Sequence, residues 1–78
     1  MPTRPRQAMP DDVAATLATQ GARGDYDARP AYQRNDYLSW IGRAKTGPTR
    51  ARRIAQMVEE LRTGGVYMGM AHAPSRKR

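Results

Sequence analysis

Two stretches with helical apolar spacing are separated by only four residues, Lys45-Thr46-Gly47-Pro48. A connection this short makes the two helices antiparallel neighbours. The residue before a proline is pushed away from helical angles. Gly47 is therefore predicted as the cap and Pro48 as the first position of the later helix, where proline is pre-organised. That helix is read as Pro48 to Leu61, with Ala51, Ile54, Ala55, Val58 and Leu61 on its buried face. The earlier helix opens at Arg29-Pro30 and puts Gln33, Tyr37, Trp40, Ile41 and Ala44 on one face, with Leu38 beside it. Antiparallel pairing then sets Ala44 near Ala51, Ile41 near Ile54 and Tyr37 near Val58. Trp40 is the expected largest core residue. Gly42 falls nearly opposite this face, where glycine costs about 1 kcal/mol relative to alanine. It marks either a close contact or simple tolerance.

A shorter helix precedes the pair. Pro10 opens it, Asp11 and Asp12 suit the positive end of its dipole, and Gly21 ends it. Val13, Ala14, Leu17 and Ala18 form its modest apolar stripe. Gly21-Ala22-Arg23-Gly24 is a breaker, after which Asp25 to Ala28 forms one turn with Tyr26 as an anchor. Gly64-Gly65 stops the last helix. Val66 to Met70 is too apolar for a free tail and is expected to fold back over an exposed core edge. The expected fold is all-α: a small three-helix domain over residues 10–70, built from a short N-terminal helix plus an antiparallel helix pair. Flexible basic tails flank it, a disordered arm at 1–9 and a disordered basic tail at 71–78. With 78 residues and no cysteine, one small core must hold this domain, and such cores rarely supply more than about 3–5 kcal/mol.

The net charge of +7 invites a nucleic-acid reading, but its distribution weakens that reading. Arg4 and Arg6 lie in the arm, and Arg76, Lys77 and Arg78 in the tail. Residues 10–70 hold nine basic and seven acidic groups. No run approaches the roughly 18 apolar residues of a membrane span. The basic start lacks the apolar stretch of a secretory signal, so the cytoplasm is the expected location. Nothing points to catalysis. The single histidine, His72, has no cysteine or carboxylate nearby in sequence for a metal site. Asp11-Asp12 and Glu59-Glu60 are sequence neighbours that point two ways on a helix, which does not suit paired acid–base work. No phosphate-loop, dinucleotide or nucleophile-elbow pattern occurs. The chain is expected to be no enzyme and to have no catalytic residues, metal or cofactor.

One constellation carries content. Between Tyr37 and Val58 stand five cations and no acid: Arg43, Lys45, Arg50, Arg52 and Arg53. Three of them occupy the first turns of the last helix, where the dipole disfavours cations, and Glu59-Glu60 sit near its unfavourable end. One explanation is pairing within the chain, with Arg34 reaching Glu59 or Glu60 and Arg50 bordering the apolar face. Such surface pairs are worth about 0–1 kcal/mol. The other is an anion site, in which arginines and free backbone N–H groups suit a phosphate or carboxylate. Thr46 and Thr49 would add hydroxyls to it. A helix-turn-helix is a further form, with Arg50, Arg52, Arg53 and Gln56 as the readers. The candidate partner-binding or anion-binding set is Arg43, Lys45, Thr49, Arg50, Arg52 and Arg53.

The run Asp36-Tyr37-Leu38-Ser39-Trp40-Ile41, followed by Ala44-Lys45 and Thr49-Arg50-Ala51-Arg52-Arg53-Ile54, resembles the bacteriocin-protection family, also called YdeI or OmpD-associated. The resemblance covers roughly Tyr26 to Met70. It implies a small helical domain linked to bacteriocin or antimicrobial-peptide tolerance and to an outer-membrane porin, and it brings no catalytic residues. The family often carries an acidic residue between the proline and threonine that open the last helix. Here Pro48 meets Thr49 directly, which leaves the arginines less compensated. The expected function is a non-enzymatic interaction module for an acidic protein or peptide. The alternative is nucleic-acid binding, mostly nonspecific, through the basic turn and tails.

Overall fold

Thr46, not Gly47, caps the last helix. Its backbone is extended, and its hydroxyl accepts a hydrogen bond from the Thr49 N–H at 3.3 Å. A hydroxyl at this position satisfies a donor that glycine could not. The structure is a computed structural model that describes residues 7–72 and 74. Among these residues the order is α1 (Asp11–Thr19), α2 (Arg23–Asp27), α3 (Ala31–Gly42), α4 (Gly47–Thr63), β1 (Val66–Tyr67) and β2 (Met70–Ala71).

The fold is mostly helical, as the all-α expectation has it, but the three-helix arrangement is corrected. Among the described residues there are four helices and a two-stranded antiparallel sheet. The single turn expected around Tyr26 is the separate helix α2. Contacts between α3 and α4 run in opposite sequence order. Arg50 reaches the Ile41 carbonyl, Arg53 the Trp40 carbonyl, and Glu60 the Tyr37 hydroxyl. The two helices therefore lie antiparallel, as the short turn dictates.

The buried face of α4 is Ile54, Met57, Val58 and Leu61, while Ala51 and Ala55 are exposed. The helix is rotated from the sequence reading because burying methionine removes far more apolar surface than burying alanine. The core is completed by Val13 and Leu17 of α1, Ala22, Tyr26, and Tyr37, Leu38 and Ile41 of α3. Trp40 is only half-buried, and Tyr37 leads the fully buried side chains. Nothing lies within 4 Å of a Cβ built on Gly42, so that glycine is tolerated rather than required.

The C-terminal segment folds back as a hairpin. Val66 faces Ala71 and Tyr67 faces Met70. The two-residue loop has φ of 52° at Met68 and 83° at Gly69. Positive φ at both loop positions matches the right-handed twist of the strands. Left-handed backbone is costly at Met68, which carries a side chain. Both loop N–H groups donate to the Glu60 carboxylate, at 2.7 and 2.8 Å. Tyr67 then packs edge-on against Tyr37 at 5.6 Å and donates to Asp36.

Residues assigned to the tails from the sequence join the body. The Gln7 N–H donates to the Asn35 side chain, and Met9 packs on the core. The His72 N–H donates to the Gly65 carbonyl. Residues 1–6, 73 and 75–78 lie outside the described residues, with the rest of the expected arm and basic tail. Among the described residues no helix is long and apolar enough to cross a membrane.

Burial raises the Tyr37 phenol above its usual 10.0, and its hydrogen bond to Glu60 adds to the rise. The folded chain thus favours the neutral phenol. That stabilisation is complete below about pH 10 and is lost as pH rises through the folded value. Tyr37→Phe is expected to flatten the loss of stability above about pH 10, compared with wild type by urea denaturation.

Candidate basic interface at the α3–α4 turn

The turn gathers the predicted cations, and the structure divides them into two groups. Arg50 forms a bidentate pair with Asp12, Nε to Oδ2 at 2.8 Å and Nη2 to Oδ1 at 2.9 Å. Its Nη1 also donates to the Ile41 carbonyl at 3.4 Å. Arg53 donates from Nη1 to the Trp40 carbonyl at 2.8 Å, and its guanidinium lies over the Trp40 ring at 5.3 Å.

This arrangement explains why cations open α4 against its own dipole. Antiparallel packing sets the start of α4 beside the end of α3. The arginines therefore serve the last carbonyls of α3, where positive charge is favourable. Asp12 supplies a counter-charge from α1. The hydrogen bond from Arg50 holds the Asp12 carboxyl below its usual range, and Asp12 in turn raises the Arg50 guanidinium. Intramolecular pairing is therefore real, but its acid is Asp12 rather than Glu59 or Glu60.

The other cations remain on the surface. Arg43 is exposed, and its Nη1 donates to the Ser39 hydroxyl at 2.8 Å. Lys45 and Arg52 are exposed and have no ion pair among the described residues. Thr49 belongs to the helix cap: its N–H donates to Thr46 and its hydroxyl accepts from Thr46 at 3.0 Å. Pro48 has no N–H, and the Arg50 N–H is used by the Thr46 carbonyl. The helix start thus has few backbone donors left for an anion. Of the proposed readers, Gln56 is engaged by Glu60 at 2.9 Å, which leaves Arg52 uncommitted.

Sequence reasoning missed the polar centre under the hairpin. Glu60 is buried and accepts from Tyr37 at 2.5 Å, from Gln56, and from the Met68 and Gly69 N–H groups. Buried Arg29 donates to the Gln33 side chain at 3.1 Å, the Glu60 carbonyl at 3.0 Å and the Val66 carbonyl at 3.1 Å. Helical spacing held a signal for Glu60, which follows Met57 by three residues on the apolar face. Arg34, expected to meet Glu59 or Glu60, has its Nε buried with no hydrogen-bond partner among the described residues.

A second surface feature lies beside the basic turn. A groove of about 630 Å³ runs between α1 and α4, with Ala51, Ile54, Ala55 and Val58 along α4. Asp12, Arg50, Glu59 and Arg62 line it as well, so its charge is balanced.

A family model described as bacteriocin-protection, YdeI or OmpD-associated matches residues 8–64. The match takes in α1 and stops at the residue that caps α4, so the hairpin lies beyond it. No curated protein and no solved structure matches the chain.

Proposed function

The chain belongs to the bacteriocin-protection, YdeI or OmpD-associated family, and from that footing we propose that it is a non-enzymatic interaction module that docks an acidic protein or peptide on its α3–α4 turn. One observation carries this reading. Arg50 and Arg53 are consumed by the fold, whereas Arg43, Lys45 and Arg52 project from the same end without an acidic partner among the described residues. Exposed cations left uncompensated near one another raise the local potential and steer acidic partners. The family's link to bacteriocin tolerance supplies the setting, in the cytoplasm. The partner's carboxylates would be bound by Arg43 and Lys45 at the turn and by Arg52 one helical turn further on.

A nucleic acid is the competing partner. It would meet Arg52 with Arg50, Arg53 and Gln56 already engaged, which favours phosphate attraction over base readout. A fluorescence titration with an oligo-glutamate peptide at low salt separates the readings. Arg43→Ala/Lys45→Ala is expected to weaken peptide binding about tenfold, roughly 1.4 kcal/mol, with unchanged helical circular dichroism. Unchanged affinity overturns the proposal. A duplex DNA that binds more tightly than the peptide, with the same loss in the variant, assigns the turn to nucleic acid instead.

A further inference from the structure

We infer that α4 is also a self-association surface, on which two copies pair through antiparallel α4 helices and each Arg52 meets the partner's Glu59. The inference starts from the charges on α4 that the fold does not use. Arg50 and Arg53 serve α3, Arg62 donates to the Gln20 carbonyl and side chain, and Glu60 holds the hairpin. Arg52 and Glu59 remain, both exposed. Neither has an ion pair among the described residues, and Glu59 receives only a long hydrogen bond from Thr63 at 3.4 Å. They are seven residues apart, so they share one stripe of the helix. At about 1.5 Å per residue they stand roughly 10 Å apart, too far to pair with each other.

Both charges sit at the unfavourable ends of their own helix. A second α4 laid antiparallel reverses that order and brings each charge opposite its complement. A two-fold contact forms every such pair twice, here about a midpoint between Ala55 and Gln56. Ala55 is exposed at that crossing, beside the groove that α4 forms with α1. Its small side chain allows the interaxial distance of about 8–10 Å that packed helices adopt. The groove also discriminates between occupants. Asp12 and Glu59 balance Arg50 and Arg62 along its walls, which suits a mixed-charge copy of the chain better than a uniformly acidic peptide. This pairing does not depend on the acidic-partner reading, because its readout is the mass of the chain alone.

The test is analytical ultracentrifugation of the full chain from about 10 μM to about 1 mM, at low salt. Wild type is expected to rise from monomer towards dimer mass. Arg52→Glu and Glu59→Arg each turn two attractive contacts into repulsive ones, and each is expected to weaken association about tenfold. The double reversal Arg52→Glu/Glu59→Arg is expected to restore it, since the pairs reform with exchanged signs. Circular dichroism checks that each variant is folded. Arg52→Gln and Glu59→Gln replace any that is not, with about threefold weakening expected. Wild type that stays monomeric throughout, single variants that associate as wild type does, or a double variant as weak as the singles would each overturn the pairing.

Discussion

Glu60→Ala is expected to cost about 3 kcal/mol of folding stability, most of what a core of this size supplies. The carboxylate accepts from the Tyr37 hydroxyl, the Gln56 amide and two hairpin N–H groups. Removing it leaves those donors unmatched, and each buried one costs about 1–3 kcal/mol. Met68 and Gly69 are less buried than Tyr37, so water recovers part of the loss there. The left-handed backbone at Met68 then has no compensating bond. Urea denaturation measures the loss. Amide exchange at Met68 and Gly69 should accelerate before the helices open, because the hairpin loses its anchor first. Glu60→Gln keeps the shape and one acceptor oxygen, and it should fall about halfway between wild type and alanine. A Glu60→Ala variant within about 0.5 kcal/mol of wild type would mean that the carboxylate does not hold the hairpin.

Arg29→Met is expected to be comparably severe, again about 3 kcal/mol. Methionine fills the volume of the arginine stem but supplies none of its donors. The guanidinium ties three places together: the Gln33 side chain on α3, the Glu60 carbonyl near the end of α4, and the Val66 carbonyl at the start of the hairpin. It also places a positive charge in the region where the Glu60 carboxylate is buried. Losing it takes a donor from the Val66 carbonyl and from the Glu60 carbonyl, which keeps the Gly64 N–H, and leaves that carboxylate without a nearby buried cation. Urea denaturation again reads the cost, and limited proteolysis should cut the hairpin earlier than in wild type. Because the two residues share one network, Arg29→Met/Glu60→Gln should cost less than the two single losses together. Full additivity would show that they act separately.

These residues also mark where the sequence stopped being readable. The antiparallel pair was legible because a four-residue turn with a proline leaves no other arrangement. Val13, Leu17, Ile41, Ile54, Val58 and Leu61 were legible because large apolar side chains at helical spacing have only one place to go. The facing of α4 was misjudged because Ala51 and Ala55 were placed on the buried face and Met57 was left off it, although alanine gains little from burial. Trp40 was misplaced because its indole serves as a platform for Arg53 at the surface, and apolar periodicity carries no sign of a stacked cation. The hairpin was expected only as a fold-back. Its loop depends on a carboxylate nine residues before Gly69, a tertiary contact that no local turn signal contains.

The basic cluster was legible as a cluster but not as two groups. In sequence, Arg50, Arg52 and Arg53 are equivalent cations at the wrong end of a helix dipole. Only the position of α3 and the reach of Asp12 distinguish them. Arg50 and Arg53 point back to carbonyls of the preceding helix, and Arg52, on the opposite side of the helix from the core, does not. The same division decides which cations are available to a partner.

That division is tested most directly by urea denaturation of five single alanine variants under one set of conditions. Arg50→Ala and Arg53→Ala are expected to lower the unfolding midpoint clearly, each by removing donors from the α3 carbonyls. Arg43→Ala, Lys45→Ala and Arg52→Ala should leave it within experimental error of wild type. Equal midpoints for all five, or a larger drop for Arg52 than for Arg50 and Arg53, would contradict the sorting of this cluster into cations that hold the fold and cations left free to bind.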